Sequence, residues 1–372
     1  MRTPRQFAIL CSVLALTSFP VAGQGVGRLA PFGMHGAQLH DPENWIAVVG
    51  DSGTTGAASA PALEPTLAKL FEHFKTFFTE PHLRSSFPVK EPMTRVFYSR
   101  HEYQQGVDWW SGLKRNSAAK LALMLDAHEN SFAYIAGRAL GVEAQDIVLV
   151  GQDGVMVDAI PAQLGRIFEM KTSTLPPRMF ISFTANDLCD EEVIEEPVEA
   201  RAARFRARLE QAWEESAPFL RAHAKGTRIS VLAPLDIANV IDNREIQTQK
   251  VNVEAQGEIT CGRLRSGELK SSLTAWFVLR MLNLMCPSVT STHPGDRARL
   301  DKLRAVQTAF IGVWQEQIAR LNTRYASQGI RWEFLSALRD VHFGAGDVGN
   351  DCFHPSAQGH AKIADVILHS GD

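Results

Sequence analysis

Short apolar runs alternate with long amphipathic stretches, and this alternation constrains the chain most. Trp45–Val49, Asp146–Val150, Met179–Phe183 and Arg228–Leu232 are each one strand long, mostly apolar, and closely followed by Gly, Asn or Pro. Ile330–Phe334 reads as a fifth such run. Between them lie helical patterns over Ala62–Phe78, Ala118–Leu140, Met156–Met170, Val198–His223, Leu269–Leu284 and Arg297–Arg324. A last helix follows Ser356 and covers Ala361–Leu368. A strand apolar on successive residues leaves no face for water, so both faces must be covered. The alternation therefore predicts an α/β fold, a parallel sheet with helices on both faces. With 372 residues, 45% of them apolar and 21% charged, the chain can bury a sizeable core. No linker rich in Pro, Gly or Ser divides it, which predicts one domain over residues 24–372. The stretch 81–116 carries three prolines, His101, Trp109 and Trp110, fits neither period, and reads as an irregular insertion.

Residues 1–23 read as a signal peptide rather than as part of the fold. Arg2 and Arg5 precede an apolar run from Phe7 to Leu16, Pro20 breaks it, and small residues follow at Val21–Gly23. That run is too short to span a bilayer, which takes about 20 apolar residues. A mature chain with no transmembrane span, secreted or periplasmic, is expected. Its net charge of −3 gives no basic excess to hold a phosphate backbone, so nucleic acid is excluded as a partner. Cys11 leaves with the leader, and Cys189, Cys261, Cys286 and Cys352 remain, an even set in an oxidising compartment. None lies close enough to another for a zinc-type spacing.

In open parallel sheets, ligands bind beyond the carboxyl ends of the strands. After the first run comes Gly50-Asp51-Ser52-Gly53-Thr54-Thr55-Gly56, a tight turn that would expose a serine hydroxyl. It is not a G-x-S-x-G elbow, because Thr54 takes the second glycine's place. It is not a phosphate loop, because no lysine follows Gly56. A trypsin-like order fails too, since only about thirty mature residues precede Ser52. By itself the string fits a glycine-rich turn as well as a nucleophile. Near the other end, Asp351-Cys352-Phe353-His354-Pro355 can set a carboxylate against one imidazole nitrogen and leave the other facing outward. That context separates His354 from the chain's other histidines, 12 in all. After the third run, Asn186 offers a neutral donor of the kind an oxyanion needs, or forms part of an Asn-Asp turn. After the second run, Gly151 and Gly154 can each turn a backbone N–H toward the same place or serve as loop glycines.

The order Ser, Gly, Asn, Asp-x-x-His along the strand ends resembles the SGNH (GDSL-type) hydrolases. The strings Asn186-Asp187-Leu188-Cys189-Asp190 and Asp351-Cys352-Phe353-His354-Pro355-Ser356 with Gly359-His360, and Val231 to Asp236, are similar to its phospholipase B-like branch. The resemblance covers Trp45 to Leu368. Gly53, Ala185 and Leu149 stand where the family pattern has other residues. The spacing of Pro161 and Gln163 favours Gly154 over Gly151 as the family's glycine donor.

The resemblance implies a three-layer α/β/α, flavodoxin-like fold and a serine ester hydrolase. Ser52 would be the nucleophile, His354 the acid–base and Asp351 its orienting carboxylate. Ser52 N–H, Gly154 N–H and the Asn186 side chain would form the oxyanion hole. No metal or organic cofactor is implied. The branch suggests a phospholipase or lysophospholipase acting on lipid acyl esters, with transient contact to a lipid surface. Trp109, Trp110, Phe77 and Phe78 could line an acyl groove, or pack the insertion onto the domain. The same site would serve a small-ester or polysaccharide-acetyl esterase, or an acyltransferase, since fold and triad do not fix the acyl group. A catalytically inactive binding module is the reading from another class. A Cys261–Cys286 disulfide is expected because both cysteines flank the Leu269–Leu284 helix. Cys189–Cys352 would then form the second bridge, between strings that must converge.

Overall fold

The computed structural model describes residues 41, 43–56, 59, 130–151, 155–169, 174–183, 185–189, 195–223, 226–253, 257–266, 286–290 and 292–370. The expected signal peptide 1–23, the stretch 81–116 read as an insertion, the helical patterns Ala62–Phe78 and Leu269–Leu284, residues 118–129 of the pattern Ala118–Leu140, and Gly154 lie outside them.

In chain order the strands are β1 (Ile46–Gly50), β2 (Ile147–Leu149), β3 (Arg178–Ser182), β4 (Arg228–Leu232), β5 (Lys250–Val253), β6 (Gly257–Thr260) and β7 (Arg331–Leu335). The helices are α1 (Ser52–Thr55), α2 (Phe132–Ala139), α3 (Ile160–Glu169), α4 (Val198–His223), α5 (Ile237–Asp242), α6 (Arg244–Thr248), α7 (Cys261–Arg265), α8 (Pro287–Thr290), α9 (Arg297–Arg324) and α10 (Ala357–His369). Five strands form one parallel sheet in the order β2-β1-β3-β4-β7. This is the flavodoxin-like order, and it reverses direction between β1 and β3.

Strand β1 shows why the sheet is buried on both sides. Along it and the residue before it, Trp45, Ala47 and Val49 point into one core, while Ile46 and Val48 point into the other. Period-two alternation here sorts apolar residues between two apolar layers rather than between core and water. The first core is covered by α3, α4 and α9, which contribute Leu164, Leu209, Trp213, Phe310 and Trp314. The second is covered by α2 and α10, with Phe132, Ala136, Ile363 and Ile367. The result is a three-layer α/β/α sandwich.

The strands fall within one residue of the expected bounds, and α4 and α9 coincide with theirs. Helix α10 starts four residues before Ala361, because the Ser356 side chain accepts from Gln358 N and Gly359 N and caps it there. The antiparallel pair β5–β6, outside the parallel sheet, was not expected.

The disulfides correct the expected pairing. Cys189 bonds Cys286, and Cys261 bonds Cys352. Cys261 opens α7 beneath the Asp351–His354 turn, so its partner is the cysteine of that turn and not the one beyond the Leu269–Leu284 segment. Cys286 lies beside the turn after β3, where Ser288 N donates to Cys189 O at 3.1 Å.

Candidate active site

Ser52 is set by a turn that leaves little freedom. Strand β1 ends at Gly50, whose N–H donates to Gln163 Oε1 at 2.8 Å while its carbonyl accepts from Gln163 Nε2 at 2.9 Å. Asp51 then caps α1: its Oδ1 accepts from Gly53 N at 2.9 Å, and its own N–H donates to Ser182 O at 3.1 Å. Thr54 is fully buried and donates its hydroxyl to Asp51 O at 2.7 Å. A Cβ at Gly50 would overlap Thr54 Cγ2 and Ser182 O, and one at Gly151 would overlap Thr54 Oγ1. Both glycines are therefore close-approach residues, and Gly151 is occupied in packing Thr54.

The second half of the site comes from the turn before α10. His354 Nε2 lies 2.9 Å from Ser52 Oγ, and His354 Nδ1 lies 2.5 Å from Asp351 Oδ2. The other carboxylate oxygen, Oδ1, accepts from Phe353 N and His354 N, each at 3.0 Å. Asp351, Ser52 and His354 are all buried, at 2%, 6% and 8% exposure. Behind them His360 on α10 is fully buried and accepts from Phe132 N at 3.3 Å. Burial, and then the neighbouring His354, push its imidazole down to about 3, so it is neutral at ordinary pH.

Asn186 opens the turn after β3 and is buried. Its Nδ2 donates to Val155 O at 2.8 Å, tying this turn to the loop after β2. One amide hydrogen is used by that bond and one is left. A second tie runs back: Val157 N donates to Asp187 Oδ2 at 3.3 Å. Burial pushes the Asp187 carboxyl up to about 8, because Arg208, 3.8 Å away and partly exposed, offsets only part of the cost.

Ser52 and His354 open onto a cleft of about 760 Å3, continuous with solvent. Its walls are mostly apolar, with Phe132, Phe183, Leu235, Val240, Phe343 and Phe353 among them. It lies past the carboxyl ends of β1, β3 and β4, at the reversal of strand order.

Of the five expected site residues, Ser52, Asp351 and His354 are thus hydrogen-bonded in line. Asn186 stands on the neighbouring strand end, and Gly154 falls outside the described residues. Gln163 entered the sequence reading only as a spacing mark, and its grip on Gly50 was missed. The signal was present: with Ile160, Leu164 and Ile167 buried around it, Gln163 is a polar residue on the apolar stripe of a helix.

No family model matches the chain, and none of the curated proteins matches it. Among solved structures it is similar to an extracellular lipase from Streptomyces rimosus, at 12% identity over 88% of this chain and 99% of that one, with a TM-score of 0.40. It is similar to phospholipase A1 from Streptomyces albidoflavus NA297, at 12% identity over 87% and 98%, with a TM-score of 0.36. A carbohydrate esterase is 11% identical over 87% of this chain and 67% of that one, with a TM-score of 0.35.

Proposed function

We propose that the protein is an exported serine ester hydrolase that works through an acyl-enzyme. The observation that carries this reading is the buried line Ser52 Oγ–His354–Asp351 at the mouth of an apolar cleft. His354 Nε2 takes the Ser52 proton as Oγ attacks the ester carbonyl, and returns it to the leaving alcohol. Asp351 holds the imidazole with Nδ1–H toward the carboxylate and stabilises the cation that forms. Water then repeats the sequence on the acyl-enzyme and frees Ser52. Ser52 N–H, Gly154 N–H and the second Asn186 amide hydrogen serve as oxyanion donors. The chemistry asks nothing of a metal. Two disulfides support export, as such bonds persist in oxidising compartments. Among the described residues no helix is long and apolar enough to cross a membrane.

For substrate, we favour acyl esters of phospholipids or lysophospholipids. The apolar walls of the cleft support an acyl chain, and the phospholipase B-like strings support the lipid headgroup class. Each buried methylene contributes up to about 0.8 kcal/mol, so kcat/KM rises with acyl length until the cleft is filled. The test pairs fluorophosphonate labelling with an activity panel. Labelling of wild type but not Ser52→Ala, and turnover rising from short p-nitrophenyl esters to lysophospholipid micelles, is the expected result. Rapid acetyl-ester cleavage with no lysophospholipid turnover would move the protein to small-ester or polysaccharide-deacetylating chemistry and leave the triad in place.

A further inference from the structure

One charged side chain outside the serine, imidazole and carboxylate is built into the same turn. Helix α7 carries Cys261 and Arg265 four residues apart, on one helix face. Both reach a single residue: Cys261 is disulfide-bonded to Cys352, and Arg265 Nη2 donates to the Cys352 carbonyl. Cys352 lies between Asp351 and His354 with φ +60°, the one non-glycine residue with positive φ among the described residues. That conformation is costly for an L residue and persists only when its surroundings hold it. Here they hold it by side chain and carbonyl at once. The second guanidinium nitrogen, Nη1, is buried with no hydrogen-bond partner among the described residues. The negative charge of Asp351, the residue before the carbonyl that Arg265 holds, favours the cation. Burial pushes the group down to about 10, so it is charged at neutral pH.

We propose that Arg265 is a positioning residue for the Asp351–His354 pair, fixing the left-handed turn through the Cys352 carbonyl and holding a positive charge at the residue next to the carboxylate. The inference rests on the ester-hydrolase reading. It separates into two effects. Losing the carbonyl contact loosens the geometry of His354 against Ser52 and lowers kcat. Losing the charge leaves Asp351 more negative in effect, so the imidazolium becomes easier to form. Among the described residues, Asp51 on the turn after β1 lines the same cleft as His354, and His360 on α10 interacts with the imidazole. His360, held at about 3 by burial, stays neutral over the working range.

The test measures kcat, KM and the pH dependence of kcat/KM on a p-nitrophenyl ester for the full chain with disulfides intact. Wild type, Arg265→Met, Arg265→Lys and Ser52→Ala are compared. Arg265→Met should lower kcat roughly tenfold or more with KM within about twofold, as expected for lost alignment. Its acidic limb should move to higher pH, and Arg265→Lys should bring the limb back. A wild-type kcat in Arg265→Met overturns the proposal. So does a loss of kcat with an unmoved acidic limb, which would make α7 a structural support alone. Turnover surviving in Ser52→Ala overturns the hydrolase reading and this proposal with it. Turnover lost there but intact in Arg265→Met overturns the proposal alone.

Discussion

The imidazole of His354 meets the hydroxyl of Ser52 at 2.9 Å across a sequence separation of 302 residues. Ser52 stands at the carboxyl end of a central strand, and His354 stands on a turn that α10 and α7 fix from behind and beside. If the two act as one catalytic unit, Ser52→Ala and His354→Ala should each lower kcat by about 10⁴ or more with the fold intact. The double variant should be no worse than the worse single one. Steady-state kinetics with circular dichroism as the folding control checks both points.

Asn186 should act on the transition state rather than on the ester. The charge it would neutralise exists only after attack, so Asn186→Ala should lower kcat by about 10²–10³ and leave KM nearly unchanged. A loss confined to KM would make Asn186 a substrate-binding group. Because Asn186 also donates to Val155 O, a melting curve should accompany the kinetics.

Gln163 predicts a loss of stability. Its carboxamide satisfies both the N–H and the carbonyl of Gly50 in a buried place. Gln163→Leu would fill similar volume and orphan both backbone groups, at a cost of about 1–3 kcal/mol each. Urea unfolding should show a midpoint lowered accordingly. Gln163→Glu keeps an acceptor for the N–H but turns a second acceptor toward the Gly50 carbonyl, so it should also be destabilised.

Asp187 predicts a pH dependence of folding. Its carboxyl titrates near 8 in the fold and at 3.8 as an ordinary carboxylate. Between those values the native state holds a proton that the unfolded chain lacks. The contribution is therefore fullest below the lower value and falls as pH rises, by up to about 1.4 kcal/mol per pH unit for one proton, until the native group ionises. Asp187→Asn cannot lose that proton. The stability difference, variant minus wild type, should grow from pH 5 to pH 8 in parallel denaturation curves. A constant difference would mean that Asp187 is ionised throughout.

Much of this was legible in the sequence because the strands carry their own signal. A run such as Ile46–Val49 can be satisfied only between two apolar layers, and its end is where a turn must follow, so Ser52 and Asn186 could be placed by following the strands out. Helices α4 and α9 were legible from their periodicity. The β5–β6 pair was not, because four-residue strands with alternating polar residues carry too little signal against a loop. The disulfide pairing was misread for a different reason. Flanking one expected helix in sequence does not pair Cys261 with Cys286, since the fold sends one to the turn of Cys352 and the other to that of Cys189. Arg265 had no readable signal at all: its importance lies in what stands across from it.

The two cross-links overlap along the chain, with Cys261 lying inside the loop that Cys189 and Cys286 close, and Cys286 inside the loop of Cys261 and Cys352. A single peptide bond cut anywhere between Cys189 and Cys352 therefore always leaves one bridge joining the two pieces. The fragment with Ser52 stays covalently attached to the fragment with His354, wherever in that span a protease strikes. Outside a cell, where nicking is common and resynthesis is not an option, such a chain can be clipped once and still remain a single molecule until it is reduced.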